Sequence, residues 1–393
     1  MSTSPLAGIS VVSFEQAVAA PFCSRHLHDL GASVIKVERP PEGDFARAYD
    51  SDIHGMSTWF TWLNRGKRSL TLDLKQAEGI EIAARLIAAA DVVIQNFAPG
   101  AFERLGLGAD ALRAANPRLI VASLTGYGDE GPYRDRKAYD LLLQAEAGVL
   151  SVTGTPDQPA KAGVSIVDLS AGMYLLSSVL AALYRRGETG EGATIRVSLL
   201  DSVLEWMSPL ALKAVHGDPP IPSGPRHASI VPYGPYRVAG GRQVMLAIQN
   251  EREWRRLCLE VLDRAPLAAD ARFRSNELRL KNRDQLEPLI EEALAGFSLS
   301  EAEDRLEQAS LAYSRMNDVA DVLRHPQVIA RDRLLRVGVP GGEADVFKAP
   351  FNIDGVDEPP ARVPALGEDT DAILAGLGYS GEALTGLRQR GII

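Results

Sequence analysis

Between Gly8 and Val37 the chain reads as a buried strand (Gly8–Phe14, GISVVSF), a helix over Pro21–Leu30 that Gly31 caps, and a second strand over Ser33–Val37. Such a strand–helix–strand unit implies parallel strands, with the helix crossing right-handed over one face. The alternation continues. Ser69–Leu74, Val92–Gln95 and Leu119–Leu124 read as strands, Ala77–Ala90 as an amphipathic helix, and Pro99–Gly100 opens another through Leu105. Arg47–Trp62 is irregular and aromatic, and Asn64–Arg68 is a basic turn. This pattern predicts an α/β, doubly wound Rossmann-like large domain.

Farther on, Ala193–Leu199 reads as a strand and Leu200–Val215 as a helix, before the Pro- and Gly-rich linker 217–224. A hairpin pattern with Gly240–Gly241 at its turn, then helices at Glu251–Leu262, Arg283–Leu294 and Ser300–Gln308, predict a smaller α+β domain over 225–325. Ser314–Val328 leads back out, and Gly367–Arg390 holds two short helices. The expected organisation is 1–216 large domain, 217–224 linker, 225–325 small domain and 326–393 a return segment completing the large one.

The 393 residues are 46% hydrophobic and 24% charged, as in globular domains, and the net charge of −9 argues against a general nucleic-acid binder. Cys23 and Cys258 have no metal or redox spacing, the first residues show no signal-peptide pattern, and no apolar run reads as bilayer-length. A cytoplasmic enzyme without membrane contact is expected. Gly126–Gly131 fits G-x-G-x-x-G after a strand, but Pro132 and a polar run follow where a dinucleotide site needs a helix, so it reads as a loop.

The stretch Lys161–Arg186 carries the chemistry. Val164, Ile166 and Val167 read as the end of a short buried strand; from Leu169 a helix shows Met173, Leu176 and Leu180 on one face and ends in Arg185 and Arg186. Asp168 stands at the join, where free backbone N–H groups and the helix dipole would keep it ionised. Two readings stay open on this stretch alone: a helix cap, or an ionised carboxylate available as a nucleophile.

Taken together, Phe14–Cys23 (FEQAVAAPFC), Gly31–Arg39 (GASVIKVER), Asn64–Lys75 (NRGKRSLTLDLK), Asn96–Gly100 (NFAPG), Arg136–Asp140 (RKAYD), Gly190–Asp201, Pro364–Thr370 and the Asp168 junction resemble family III CoA-transferases, in order and spacing over essentially the whole chain. The family includes formyl-CoA and carnitine CoA-transferases and α-methylacyl-CoA racemases. The resemblance implies an interlocked homodimer, no permanently bound cofactor or metal, CoA and acyl-CoA as substrates, and Asp168 as the catalytic nucleophile, passing through an aspartyl anhydride and an aspartyl-CoA thioester.

By position it also implies a CoA site built from Val18, Ala19, Arg39, Leu72, Asp73, Leu74, Lys75, Asn96, Phe97, Arg104, Lys137, Ala138, Tyr139 and Asp140. Two positions depart from the pattern. Val18 stands where formyl-CoA enzymes carry a glutamine, and Tyr139 where racemases carry a histidine. Without that histidine, two-base proton exchange lacks a partner, which favours transfer over racemisation. Arg226 and His227 are candidates for holding a second carboxylate of a dicarboxylic acyl group. His26 and His28 read as surface residues, and His54 and His216 as loop residues. The substrates suggested are succinyl-CoA with a mesaconate-, itaconate- or citramalate-like acid; a racemase or an inert CoA-binding subunit are the alternatives.

Overall fold

The computed structural model describes residues 4–356, 358–359 and 361–393, so Met1–Thr3 of the N-terminal stretch read above for a signal peptide, and two positions of the return segment, lie outside the described residues. The chain divides into two compact units. One holds the residues up to Ala147, Ala162–Pro209 and Arg333–Ile393; the other holds Gly148–Lys161 and Leu210–Asp332.

The first unit is built on six parallel strands: β1 (Ser10–Phe14), β2 (Ser33–Glu38), β3 (Arg68–Thr71), β4 (Val92–Gln95), β5 (Ile120–Thr125) and β6 (Thr194–Ser198). They lie in the order β3-β2-β1-β4-β5-β6. Between β1 and β4 the order reverses, and in open sheets of this kind ligands bind at the carboxyl ends of the strands beside that switch point. Nearly every sequence-read strand is present within one or two residues, because continuous apolar runs ended by Gly, Pro or polar residues mark buried parallel strands well.

Helix α1 (Ala19–Asp29) links β1 to β2, and α2 (Ala77–Ala88) links β3 to β4. The apolar face of α2 (Ile82, Ala83, Leu86, Ile87) packs on Val12, Phe14, Leu70, Val93 and Val121, and Leu374, Leu384, Leu387 and Ile392 close the same core. Each such buried aliphatic side chain contributes about 1.5–3 kcal/mol.

Helix α3 (Ile166–Thr189) corrects three expectations. It begins at Ile166, so Val164–Val167 is not the end of a buried strand, and Val164 is exposed. Its buried face is Ala171, Leu175, Leu176, Val179 and Ala182, whereas Met173 is exposed. At 24 residues it is also long and apolar enough by composition to cross a membrane, contrary to the reading that no run reaches that length. Here it packs within the unit, and its buried Arg186 pairs with Asp91 at 3.0 Å.

Close packing of α3 on α1 depends on Gly172. A Cβ there would stand 2.6 Å from the Ala19 carbonyl oxygen and 3.0 Å from the Phe22 ring. Because one obstacle is backbone, relief requires α3 to move. Gly172→Ala is expected to lower the unfolding free energy by about 1–3 kcal/mol in urea titrations, despite the better helix propensity of alanine.

In the second unit, three antiparallel strands (Ala312–Arg315, Gln243–Ala247, Tyr233–Arg237) pack with helices around Tyr236, Trp254, Phe273, Leu286 and Leu294. Ala312–Arg315 is thus a sheet strand, where a segment leading out was expected from Ser314. In the first unit, the hairpin Leu334–Val339 with Gly342–Phe347 was not read from the sequence. His216 ends the helix Leu199–His216, and His26 is buried beside Arg25, not exposed. Burial, with Arg25 and Arg65 nearby, pushes the His26 pKa down to about 3, so it is neutral.

Candidate active site

Two cavities open at the carboxyl ends of the strands, with Gln16 and Phe97 in the walls of both. The smaller, about 210 Å³, is lined by Arg39 after β2, Leu72–Lys75 after β3, Phe97 and Leu105. The larger, about 500 Å³, is lined by Gln16, Ala17 and Ala19 after β1, Asn96–Pro99 after β4, Gly126 after β5, the run Arg134–Asp140, Arg104, Tyr49 and Asp168. Each strand end at the switch point therefore contributes a wall.

Of the expected positions, the structure gathers Ala19, Asn96, Phe97, Arg104, Lys137, Ala138, Tyr139, Asp140 and Asp168 at the larger cavity and Arg39, Leu72, Asp73, Leu74 and Lys75 at the smaller. Val18 is buried and lines neither, and its neighbours Ala17 and Ala19 do so instead. Arg39 is exposed and pairs with Glu42 at 3.1 Å.

Arg226 and His227 already have partners in the second unit. Arg226 bonds Glu287, lies 3.4 Å from Glu291 and stacks on Tyr236. His227 Nδ1 accepts from the backbone N–H groups of Ser229 and Ile230, and its ring stacks on Tyr233. With its charge matched by two carboxylates, Arg226 is not a free cation for a second substrate carboxylate, contrary to the expectation for it.

Asp168 occupies the first turn of α3, half-buried. It does not cap the helix. Asp140 does: its Oδ1 accepts from the N–H of Val167 at 2.9 Å and of Asp168 at 3.3 Å, while its Oδ2 accepts from Gln144. The donors expected to keep Asp168 ionised are thus engaged by another carboxylate. Burial first, and the Asp140 charge second, push the Asp168 pKa from 3.8 up to about 7. The expectation of an always ionised Asp168 is corrected accordingly: near neutrality it titrates.

Behind the cavities, several charged residues of the sequence motifs are buried: Glu15, Lys36, Glu38, Arg65 and Lys67. Glu15 accepts from Lys67 Nζ at 2.6 Å and from Ser24, and Lys67 also donates to Pro21 O and Asn64 Oδ1. Lys36 donates to Asp44 at 2.8 Å and to the Glu15 carbonyl at 3.1 Å, and Glu38 accepts from Arg47 and Ser69. The basic turn at Asn64–Arg68 is therefore an internal brace, with Asn64, Arg65 and Lys67 buried. Asn96 clasps the first loop through both backbone groups of Gln16, accepting its N–H at 3.0 Å and donating to its carbonyl at 2.9 Å.

Arg134 and Tyr49 were not singled out from the sequence. A Cβ on Gly100 (φ +74°) would lie 3.0 Å from Arg104 Nη1 and 3.5 Å from Arg134 Nη2, so two guanidinium groups meet over this loop. Among the described residues neither has a carboxylate within ion-pair distance, a pairing of like charges that suits an anion. Only folding brings these positions together, which is why spacing did not show it.

A model of CoA-transferase family III matches residues 6–370. The chain belongs to that family. It is 35% identical to an acyl-CoA transferase of Fusarium pseudograminearum over all of this chain and 89% of the relative, and 34% identical to a succinate–glutarate CoA-transferase of Agrobacterium fabrum over 95% of this chain and 96% of the relative. The crystal structure of a CaiB/BaiF family protein from Brucella suis superposes with a TM-score of 0.85 at 35% identity, covering 95% of this chain and 99% of that one. As a family III member the chain is a CoA-transferase, an enzyme class that uses CoA and acyl-CoA as substrates.

Proposed function

We propose that this CoA-transferase moves CoA from succinyl-CoA to a small dicarboxylic acid by covalent catalysis at Asp168. The observation that carries the reading is the half-buried Asp168 carboxyl at a cavity on the sheet's switch point, with its own helix N–H groups occupied by Asp140.

In the reaction, a carboxylate oxygen of Asp168 attacks the thioester carbonyl of the donor. The C–S bond breaks, CoA leaves as thiolate, and a mixed anhydride remains. The thiolate attacks the aspartyl carbonyl of the anhydride, releasing the donor acid and leaving aspartyl-CoA. The acceptor carboxylate then attacks that thioester and releases thiolate. The thiolate attacks the acceptor carbonyl of the new anhydride, which gives acceptor acyl-CoA and restores Asp168. No proton is transferred, so Asp168 must be ionised to begin a turnover.

The cavities divide naturally along an extended CoA. Arg39 and Lys75, at the smaller cavity beside Leu72, Asp73 and Leu74, are suited to the nucleotide phosphates, and Arg104 and Lys137 to the anionic stretch between it and the acyl end. Asn96, Phe97, Ala138 and Tyr139 would wall the pantetheine. Succinyl-CoA as donor and a dicarboxylic acceptor are supported by relatives whose names specify glutarate, D-citramalate and mesaconate. A homodimer belongs to the same reading, and exposed Met173 and Tyr184 leave apolar surface for a second copy.

Steady-state kinetics with succinyl-CoA against glutarate or mesaconate is the direct test. Parallel double-reciprocal lines are expected, since the donor acid leaves before the acceptor reacts. Exchange of the α-hydrogen of an acyl-CoA in D₂O without any acceptor would instead mark a racemase.

A further inference from the structure

We propose that Asp44 is a positioning residue of the catalytic cavity, holding the Gln16–Ala17 wall and the Phe45–Tyr49 wall in register through one carboxylate oxygen. The inference rests on the transferase reading for its kinetic consequence, while its structural consequence stands apart.

Asp44 is buried between β2 and the aromatic segment that follows. Its Oδ1 accepts from the N–H of Ala17 at 3.1 Å and from the N–H of Ala46 at 2.9 Å. Its Oδ2 accepts from Lys36 at 2.8 Å, and its own N–H donates to Glu38. Lys36 thus holds the carboxylate and Glu38 holds the backbone of Asp44, independently of either wall.

Each bond has a consequence in the cavity. Ala17 has φ +64°, in the left-handed region that a residue with a Cβ leaves unless something holds it. The bond from its N–H to Asp44 supplies that hold, and Ala17 lines the cavity that contains Asp168. The second bond caps the short 3-10 turn Phe45–Ala48, and Phe45 and Tyr49, at the start and just after the end of this turn, line the same cavity. Removal of one acceptor therefore releases two facing elements at once, while Asp168, on α3, keeps its own supports.

The test compares Asp44→Leu with Asp44→Asn, which retains a carbonyl oxygen, each also in an Ala17→Gly background; Asp44→Ser replaces the leucine variant where that does not fold. With succinyl-CoA and glutarate, Asp44→Leu is expected to lower kcat about 10- to 100-fold with a much smaller change in KM, as misplacement of reacting groups does. Asparagine should recover most of kcat. Measured against Ala17→Gly alone, the same leucine substitution should cost clearly less, because glycine holds a positive φ unaided. Equal losses in both backgrounds, or kcat per folded molecule unchanged, would leave Asp44 a purely structural residue and overturn the proposal. A crystal structure of the leucine or serine variant decides it independently of activity: Ala17 at negative φ with Tyr49 displaced supports it, and both unmoved refutes it. An inactive wild-type protein would count against the transferase reading alone.

Discussion

Asp168→Asn is expected to abolish transfer, with a fall in kcat of at least about 10⁴-fold, and at the same time to stabilise the fold above neutral pH. The first effect follows because an amide cannot form the anhydride. The second follows from the raised pKa. With the folded-state value near 7 and the ordinary one at 3.8, the native protein holds a proton that the unfolded chain has lost across that window. Stability from this group is therefore full below 3.8, declines as pH rises, and has been lost by about 7. Asparagine carries no such charge. Because the carboxyl is half-buried and partly screened, the gain at pH 8 is about 1–2 kcal/mol, visible as a higher Tm. The same titration makes kcat/KM for the donor rise with pH to a plateau above about 7. A variant both inactive and more stable distinguishes a strained functional carboxylate from a structural one.

Glu15→Ala is expected to destabilise the protein by about 3–5 kcal/mol in urea unfolding, among the largest single-site effects in the chain. Burial by itself would raise the Glu15 pKa, but the adjacent Lys67 and Lys36 ammonium groups bring it down from 4.5 to about 2. Its contribution is present above 4.5 and is lost as pH falls through that value towards 2. Truncation strands the buried Lys67 ammonium, which burial already holds down to about 8, while Lys36 loses one neighbouring carboxylate and keeps Asp44. Adding Lys67→Met to Glu15→Ala should recover part of the loss, since a buried apolar side chain needs no counter-charge. Loss of activity in Glu15→Ala should be accompanied by unfolding. The brace supports the first loop from behind.

What the sequence made legible was local. Apolar runs ended by turn residues marked the strands because period and punctuation act over a few neighbours, whereas the order of the strands in the sheet, and with it the switch point, came from the fold. The hairpin turn Pro340–Gly341 carries such a signal too. Long-range pairing was not legible. Asp140 caps α3 from 28 positions away, so on its own stretch the capping role stayed open for Asp168, the nearer carboxylate. Lys36 alternates with Ile35 and Val37 as a solvent-facing strand residue does, and only Asp44 and Glu15 around it explain its burial. The partners of Arg226 lie 61 and 65 positions away. The gathering of motif positions around two cavities was implied by family resemblance, which stands in for contacts that no single-chain pattern displays.

The central claim is that Asp168 becomes covalently acylated and then carries CoA. Intact-protein mass spectrometry after incubation with succinyl-CoA, followed by peptide mapping, tests it directly, with Asp168→Asn alongside. The account requires a succinyl or CoA adduct on the peptide bearing Asp168, absent from the variant and discharged by an acceptor acid. An adduct on another residue, or transfer that persists in Asp168→Asn, would contradict it.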